Sequence, residues 1–215
     1  MNRIYYLILT LYRIVKYLSS DTKRYANILF FILFYKPKTI LEIGVYTGRR
    51  AKEMIDASKV FNKKIKYFGF DLFEMMNKKI LKSEMSKIPN SEKKIYEKLG
   101  KKAKIKLFKG YTNKTLPRLK NIKVDFIFID GGHAVKTIKS DWTNCQKFIK
   151  KNTIIIFDDY YMNEKFLVKK FGCNTVVNNI SEKNFEKKIC KLTDNFYSNF
   201  HNKLIRYKMY FVKKK

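Results

Sequence analysis

The chain has 215 residues, 46% hydrophobic and 16% aromatic, and its 48 Lys and Arg residues against 18 Asp and Glu residues give a net charge of +30. This length suits one domain with a full core, and the apolar content excludes an intrinsically disordered chain. The three cysteines show no C-x-x-C spacing. This argues against a disulfide framework or a zinc site and predicts a reducing, cytoplasmic location.

The positive charge bears on the class of partner. A strongly basic protein attracts nucleic acids, anionic membrane surfaces and acidic substrates. Lysine is spread along the whole chain, however, and it accompanies many Ile, Asn, Tyr and Phe residues and few Ala, Gly and Pro residues. We therefore favour compositional drift with weak attraction to polyanions over a dedicated nucleic-acid site.

Residues 1–36 predict two helices that precede a main domain at 37–215. In the first helix, apolar side chains recur at helical spacing; they are Ile4, Leu7, Ile8, Leu11, Val15 and Leu18. The second helix would be capped by Ser20 or Asp21 and would end at Lys36-Pro37.

These helices leave two interpretations open. We expect both to pack on the main domain or to form a contact in a homo-oligomer. A basic amphipathic helix also suits the surface of a membrane, so a peripheral location stays as an alternative. Arg13 and Lys16 interrupt the apolar stretch within a length too short to span a bilayer.

A glycine turn at the start of the main domain indicates a nucleotide-type ligand. Thr39–Ile43 predicts a buried strand that contains Glu42, and Gly44 and Gly48 follow it before a helical segment. Glycines and a helix N-terminus let backbone N–H groups approach a ligand closely. Tyr46 stands where dinucleotide-binding turns have a middle glycine, so a ligand with adenosine but no phosphates fits better than a pyrophosphate.

The next segments predict a parallel βαβ unit. Ile65–Phe70 is the second strand, and Asp71 follows it at the position where an acidic residue accepts hydrogen bonds from ribose hydroxyls. The polar segment Leu72–Lys102, with a helix capped by Ser91, has the position of a lid over the site.

A third strand and its loop come next. Ala103–Phe108 predicts this strand, and Tyr111 lies in the following loop, on the side expected for adenine. Thr115–Leu119 predicts a short helix before the fourth strand.

Two buried strands then end in acidic residues. Val124–Ile129 runs into Asp130-Gly131-Gly132-His133, and Thr153–Phe157 runs into Asp158-Asp159. Adjacent parallel strands deliver such residues to one edge of the sheet, where ligands bind in open α/β folds. Carboxylates that meet there repel one another unless a cation lies between them, and oxygen ligands suit Mg²⁺. The sequence therefore predicts a magnesium site with Asp130, Asp158 and Asp159 as ligands.

Together these motifs resemble the class I S-adenosylmethionine (SAM)-dependent methyltransferases, and the FIDGGH and IIIFDDY segments resemble the metal-dependent O-methyltransferases related to macrocin O-methyltransferase. The resemblance implies SAM as cofactor, Mg²⁺ as metal, and a sugar or small-molecule hydroxyl as acceptor. By it, Asp130 or His133 would take the hydroxyl proton. The cofactor would contact Glu42, Gly44, Thr47, Gly48, Asp71, Leu72, Tyr111 and Asp130.

The expected fold is a Rossmann-like, doubly wound, mostly parallel sheet of seven strands with an antiparallel last strand. Gly172–Ile180 resembles a helix of the same family, and Lys188–Leu192 and Leu204–Val212 predict the last two strands. Three alternatives to an O-methyltransferase stay open: an RNA or DNA methyltransferase, a non-catalytic accessory protein of the same fold, and a nicotinamide-dependent dehydrogenase.

Overall fold

The structure, a computed structural model, describes residues 2–162, 165–198 and 202–215. In this part of the chain seven strands form one sheet in the order β3-β2-β1-β4-β5-β7-β6. All neighbours pair in parallel except β7, which is antiparallel to both β5 and β6. The predicted fold class is confirmed. The strands are β1 (Thr39–Ile43), β2 (Lys66–Asp71), β3 (Lys104–Lys109), β4 (Phe126–Ile129), β5 (Ile154–Met162), β6 (Phe185–Ser198) and β7 (Lys203–Lys214).

Helices cover both faces of this sheet, and short 3₁₀ turns extend several of them. The helices are α1 (Arg3–Leu18), α2 (Ala26–Tyr35), α3 (Arg49–Ser58), α4 (Lys78–Glu84), α5 (Glu92–Leu99), α6 (Thr112–Thr115), α7 (Val135–Cys145), α8 (Leu167–Lys170) and α9 (Asn174–Asn178). None of these helices is long and apolar enough to cross a bilayer, a statement that covers the described residues only.

Alternate side chains of the central strands feed two apolar layers, because successive residues of a strand point to opposite faces. Ile40 and Phe126 pack on the side that carries α1, α2 and α3. Leu41 and Ile127 pack on the side that carries α7 and α9. From β1 the chain builds outward to β2 and β3 and then crosses to β4 on the other side. The crevice at such a reversal, beside the carboxyl ends of the strands, is where open α/β sheets bind ligands.

Helix α1 packs on the domain through a different face from the one predicted. Tyr6, Thr10, Ile14 and Tyr17 are its buried residues. The six apolar residues that the sequence places at helical spacing, beginning with Ile4, are all exposed and do not contribute to the core. Polar contacts decide the choice between two apolar faces. The Tyr17 hydroxyl donates to the buried carboxylate of Glu53. If α1 were rotated to bury its other apolar face, Glu53 would lose this hydrogen-bond donor.

Other differences lie at element ends. Helix α2 begins after a 3₁₀ turn at Lys23–Tyr25, so neither Ser20 nor Asp21 caps it. The short helix expected at Thr115–Leu119 is instead α6 followed by a 3₁₀ turn. Ser91 does cap α5, where its side chain accepts a hydrogen bond from Lys94 N.

Strand β5 differs most from the sequence prediction. It does not end at Asp158-Asp159 but continues to Met162, because β7 pairs with it beyond a bulge between Phe157 and Tyr160. In that bulge Asp159 adopts a left-handed conformation, with φ of 56°. A bulge redirects the side chains beside it, so consecutive acids need not point to the same place. His201, which the sequence places in a loop before the last strand, lies outside the described residues.

Candidate active site

A cavity of about 1030 Å³ opens at the carboxyl ends of the central strands. Most of the predicted cofactor and catalytic residues line it: Gly44, Thr47, Asp71, Leu72, Tyr111, Asp130, His133 and Asp159. Three predicted site residues, Glu42, Gly48 and Asp158, are not among its described lining residues.

The glycine turn is shaped by the neighbouring backbone. Gly44 has a φ of +89°, and a Cβ added there would lie 1.8 Å from the carbonyl oxygen of Asp130. The Gly44 N–H donates to Phe70 O at 2.9 Å, and the Asp130 N–H donates to Ile43 O at 2.8 Å. Glycine is therefore required at residue 44 because the β1 and β4 ends approach each other, which also brings Asp130 to the cavity wall.

Asp71 holds the same turn from the second strand. Its Oδ2 accepts the Tyr46 N–H at 2.7 Å, and its Oδ1 accepts the Leu72 N–H at 2.6 Å. Burial raises the pKa of this carboxyl, and the backbone N–H groups offset part of the rise. Each carboxylate oxygen can accept more than one hydrogen bond, so Asp71 keeps accepting capacity toward the cavity that it lines.

Glu42 has a structural position. It is fully buried and is not among the described lining residues of the cavity, and the Tyr67 hydroxyl donates to its Oε2. Its other oxygen has no hydrogen-bond partner among the described residues. Burial raises the pKa of Glu42 to about 8, although the Tyr67 hydrogen bond opposes the rise.

Asp130, His133 and Asp159 form a cluster on the cavity wall. One potential ligand atom from each lies within 4.8 Å of the others. Strand β4 supplies the first two through the loop that follows it, and the bulge of β5 supplies Asp159. Burial and the neighbouring carboxylates raise the pKa of Asp130 well above its ordinary value, and burial raises the pKa of Asp159. Two such acids beside each other favour a shared proton or a bound cation.

The imidazole of His133 is held at both nitrogens. Nδ1 lies 3.1 Å from the carbonyl oxygen of Met85, and Nε2 lies 3.1 Å from Oδ2 of Asp159. A carbonyl oxygen only accepts, so we assign the proton to Nδ1. Nε2 then faces a carboxylate oxygen at hydrogen-bond distance, and this contact is favourable only with one proton or one cation between the two atoms.

Asp158 points to a different partner. Nε and Nη2 of Arg24 each donate to one of its carboxylate oxygens at 2.7 Å. Nη1 of the same guanidinium donates to Asp194 at 2.5 Å, and the rings of Tyr25 and Tyr207 lie 4.1 and 4.4 Å from its central carbon. Burial opposes ionisation of Asp158, but Arg24 lowers its pKa below the ordinary value. The three predicted carboxylates are thus divided, with Asp158 engaged by an arginine that sequence reasoning missed.

The segment between β2 and β3 forms one wall of the cavity and is fastened to the cluster. Oε2 of Glu84, at the end of α4, accepts the Ala134 N–H at 2.9 Å, and Oε1 accepts the Thr137 hydroxyl at 2.8 Å. The backbone oxygen of Glu84 also accepts the His133 N–H at 3.3 Å. A carboxylate at the start of α7 is stabilised by the exposed N–H groups of that helix end.

Asp141 is a buried acid that sequence reasoning missed. It projects from α7, is fully buried and lines the cavity. Neither of its oxygens makes a hydrogen bond of normal geometry within the described chain. Burial raises its pKa to about 7, and the nearby Thr112 hydroxyl offsets part of the rise. An unpaired buried acceptor of this kind is stabilised when a ligand supplies a donor.

The sequence carries a family relationship over more than half of its length. Residues 41–160 match the family described as a methyltransferase domain. This stretch runs from β1 through the Asp158-Asp159 bulge and contains the glycine turn, Asp71 and the cluster. No curated protein sequence matches the chain.

Solved structures support the same assignment. The chain superposes on the O-methyltransferase TomG from Streptomyces achromogenes in complex with SAM, with a TM-score of 0.58, 10% identity and coverage of 92% of this chain and 81% of that one. It also superposes on the O-methyltransferase from Bacillus cereus in complex with SAH, with a TM-score of 0.58, 13% identity and coverage of 99% and 90%.

A third comparison extends the range of organisms. The SAH-bound methyltransferase PaMTH1 from Podospora anserina matches with a TM-score of 0.56, 16% identity and coverage of 99% of this chain and 87% of that one. At such identities the likeness shows the fold, whereas the sequence match shows the family. The chain therefore belongs to the methyltransferase-domain family and is a class I SAM-dependent methyltransferase.

Proposed function

We propose that the protein transfers the methyl group of SAM to a hydroxyl of a sugar or another small molecule, with a divalent cation bound beside the acceptor. The observation that carries the proposal is the meeting of Asp130, His133 and Asp159 on the wall of the same cavity as the glycine turn. Oxygen and imidazole groups so arranged suit removal of a hydroxyl proton, which is the step that O-methylation needs.

The cofactor end of the cavity would be formed by the glycine turn and Asp71. Asp71 keeps accepting capacity for ribose hydroxyls, and the backbone of Gly44 and Thr47 borders the same space. Tyr111, which was predicted on the adenine side, lines the cavity but is not an acidic residue that could accept a hydrogen bond from adenine. Asp141, a buried acid whose oxygens have no hydrogen bond of normal geometry among the described residues, is the group that we assign there, since an exocyclic amino group would supply a donor.

The donor set fits a divalent cation, with a change from the predicted ligands. Asp130 and Asp159 supply carboxylate oxygens and His133 supplies Nε2, whereas Asp158 is occupied by Arg24. An imidazole in place of a carboxylate shifts preference from Mg²⁺ toward Mn²⁺ and other transition metals. When bound, such an ion lowers the pKa of a coordinated hydroxyl.

The protein's own groups then complete the reaction. We assign acceptance of the hydroxyl proton to Asp130, which lies on the cavity wall and has a second carboxylate oxygen beyond the one offered to the cation. His133 would position the cation, because its Nδ1 carries a proton and its Nε2 is the ligand atom. The Met85 carbonyl fixes the tautomer and the orientation of His133. Residues of α4 line the cavity beside this cluster. Orientation of the hydroxyl toward the sulfonium carbon supplies much of the expected acceleration.

The test combines binding with turnover. Calorimetry should show binding of SAM and SAH, and a panel of sugars and phenols should reveal an acceptor through SAH formation that EDTA abolishes. Asp159→Asn should lower turnover at least about 100-fold at nearly unchanged SAM affinity, while Asp21→Asn, an exposed control, should match the wild type. Full activity of Asp159→Asn, or turnover insensitive to EDTA, would remove the cation from the proposal.

The alternatives are less well supported. An RNA or DNA substrate and a non-catalytic role are not favoured by the family match or by the compared O-methyltransferases. A dehydrogenase is not favoured either, because the matched family is one of methyltransferases.

A further inference from the structure

Helix α1 carries a second apolar face that no part of the described chain covers. Ile4, Ile8, Leu11, Val15 and Leu18 follow one another at alternating intervals of four and three residues, so they form one stripe along the helix. Ile4, Ile8 and Val15 are about 60% exposed, at 61%, 62% and 62%, and Leu11 and Leu18 are 47% and 43% exposed. We call these five residues the α1 stripe. Isolated exposed apolar residues are ordinary, but a continuous stripe indicates a partner.

Helix α2, which contacts α1, also exposes two large apolar side chains. Phe34 is 76% exposed and Phe30 is 45% exposed. Tyr5 and Tyr12, on the exposed side of α1, are 47% and 62% exposed. Tyrosine rings with one apolar and one polar end are favoured where a protein meets the boundary between lipid tails and headgroups.

The charged residues around the stripe are nearly all basic. Residues 2–38 contain seven basic residues and one acidic residue, Asp21. Arg13 is paired with Asp56, and Arg24 is buried between two carboxylates. Arg3, Lys16, Lys23, Lys36 and Lys38 are exposed. The face therefore combines apolar side chains with unneutralised positive charge.

This combination discriminates between two occupants. A second copy of the chain, which has a net charge of +30, would bring against the first another surface on which basic residues outnumber the one acid, Asp21. Repulsion opposes that contact, and α1 itself contains no acidic side chain with which to offset it. An anionic bilayer offers the complementary charge together with an apolar interior.

We propose that α1 docks in the plane of an anionic membrane surface through the α1 stripe. The 16-residue helix is about 24 Å long and lies along the surface, with its apolar side at the level of the acyl boundary. Lysine and arginine side chains at its flanks reach the headgroups while their aliphatic stems cover apolar area. This inference is independent of the acceptor and of the metal.

The experiment uses the full-length protein and vesicles. Vesicles of equal parts phosphatidylglycerol and phosphatidylcholine are sedimented with the wild type and with the double variant Ile8→Glu, Val15→Glu. The matched control is Ile88→Glu, Leu204→Glu, which makes the same chemical change at exposed residues outside the two N-terminal helices (73% and 52% exposed). SAM affinity and thermal unfolding are measured for each protein, so that folding and cofactor binding are read separately.

The wild type and the control should bind the anionic vesicles, and the stripe variant should bind at least about tenfold more weakly. Vesicles of phosphatidylcholine alone should retain little of any of the three proteins. Equal binding by the stripe variant and the control would overturn the proposal. The proposal would also be overturned if the wild type did not sediment with the vesicles but formed, in sedimentation velocity, a dimer that the stripe variant does not form. This outcome would assign the stripe to a contact with a second copy.

Discussion

The imidazole of His133 and the carboxylate of Asp159 lie 3.1 Å apart, measured from Nε2 to Oδ2, while the Met85 carbonyl holds the other imidazole nitrogen. Two atoms with lone pairs do not approach so closely without something positive between them. A proton satisfies the contact in the metal-free protein, and a divalent cation would replace that proton. Binding of metal and release of a proton are therefore linked at this contact.

The first prediction is that Mn²⁺ binding to the Asp130, His133 and Asp159 cluster releases protons to the buffer. Calorimetric titrations in buffers of different ionisation enthalpy measure the number of protons directly. His133→Gln should reduce both the affinity for Mn²⁺ and the number of protons released. The glutamine amide cannot hold the proton that the ion displaces. A binding enthalpy that does not change with the buffer would contradict the expected exchange.

The second prediction concerns Arg24 and Asp158. Replacing Arg24 by Met should lower the free energy of unfolding by about 3–5 kcal/mol at pH 7, since it leaves two buried carboxylates without their partner. Asp158→Asn should also destabilise the protein at pH 7. Because the folded pKa of Asp158 is depressed, its stabilisation is present above the ordinary pKa of about 3.9. It is lost as the pH falls through the lower, folded value.

Chemical denaturation of the wild type and Asp158→Asn between pH 3 and pH 7 measures this difference. The difference in unfolding free energy between the wild type and Asp158→Asn should become smaller as the pH falls toward 3. Asp21→Asn, at an exposed position, serves as the control and should track the wild type throughout. A constant gap at all pH values would mean that Asp158 contributes through packing and not through its charge.

The third prediction uses Glu42, whose pKa is raised to about 8 in the folded protein. The unfolded chain releases this proton near pH 4.3 (about the ordinary glutamate pKa), so the folded state binds more protons between the two values. Stability contributed by the protonated carboxyl is complete at low pH and declines as the pH rises toward about 8. Glu42→Gln cannot titrate and keeps an acceptor for Tyr67.

As the pH rises from 4.5 to 8, the free energy of unfolding of Glu42→Gln should therefore increase relative to that of the wild type, by roughly 5 kcal/mol at most. Urea unfolding at several pH values compares the two proteins. Parallel stability profiles would show that Glu42 does not hold a proton in the folded state. Unchanged SAM affinity in Glu42→Gln would agree with its position outside the cavity lining.

The fourth prediction separates the two glycines of the turn. Gly44→Ala places a methyl group 1.8 Å from a backbone oxygen, whereas Gly48→Ala meets the flexible end of Ile95 at 2.9 Å. Both positions have positive φ, which alone costs about 1–2 kcal/mol for alanine. The loss of unfolding free energy for Gly44→Ala should be at least about twice that for Gly48→Ala. Similar losses would mean that the backbone at Asp130 yields easily.

The central part of the fold was open to prediction because its signals are local. Thr39–Ile43 forms a strand with the predicted bounds, since a short apolar run followed by a glycine turn has few alternatives. Ile138, Trp142 and Cys145 of α7 are buried, and their separations of four and three residues put them on one face of the helix. Order of elements and handedness of connections then fix the sheet.

The features that sequence reasoning missed depend on contacts between distant residues. Arg24 and Asp158 are 134 positions apart, and only the packing of the N-terminal helices on the sheet brings them together. Helix α1 is apolar on two sides, so periodicity alone could not say which side faces the core. Hydrogen bonding by Tyr17 and pairing of Arg13 with Asp56 decide it. The bulge at Asp158-Asp159 depends in turn on the antiparallel partner β7.

The attachment of α4 to the catalytic loop has a geometric consequence. The residue that ends this helix contacts Ala134 and Thr137, and the next residue, Met85, provides the oxygen that orients His133. An outward displacement of this helix would remove the carbonyl oxygen that orients the His133 imidazole and fixes its tautomer. The geometry of the Asp130, His133 and Asp159 cluster would therefore be complete only while α4 stays attached to the loop after β4.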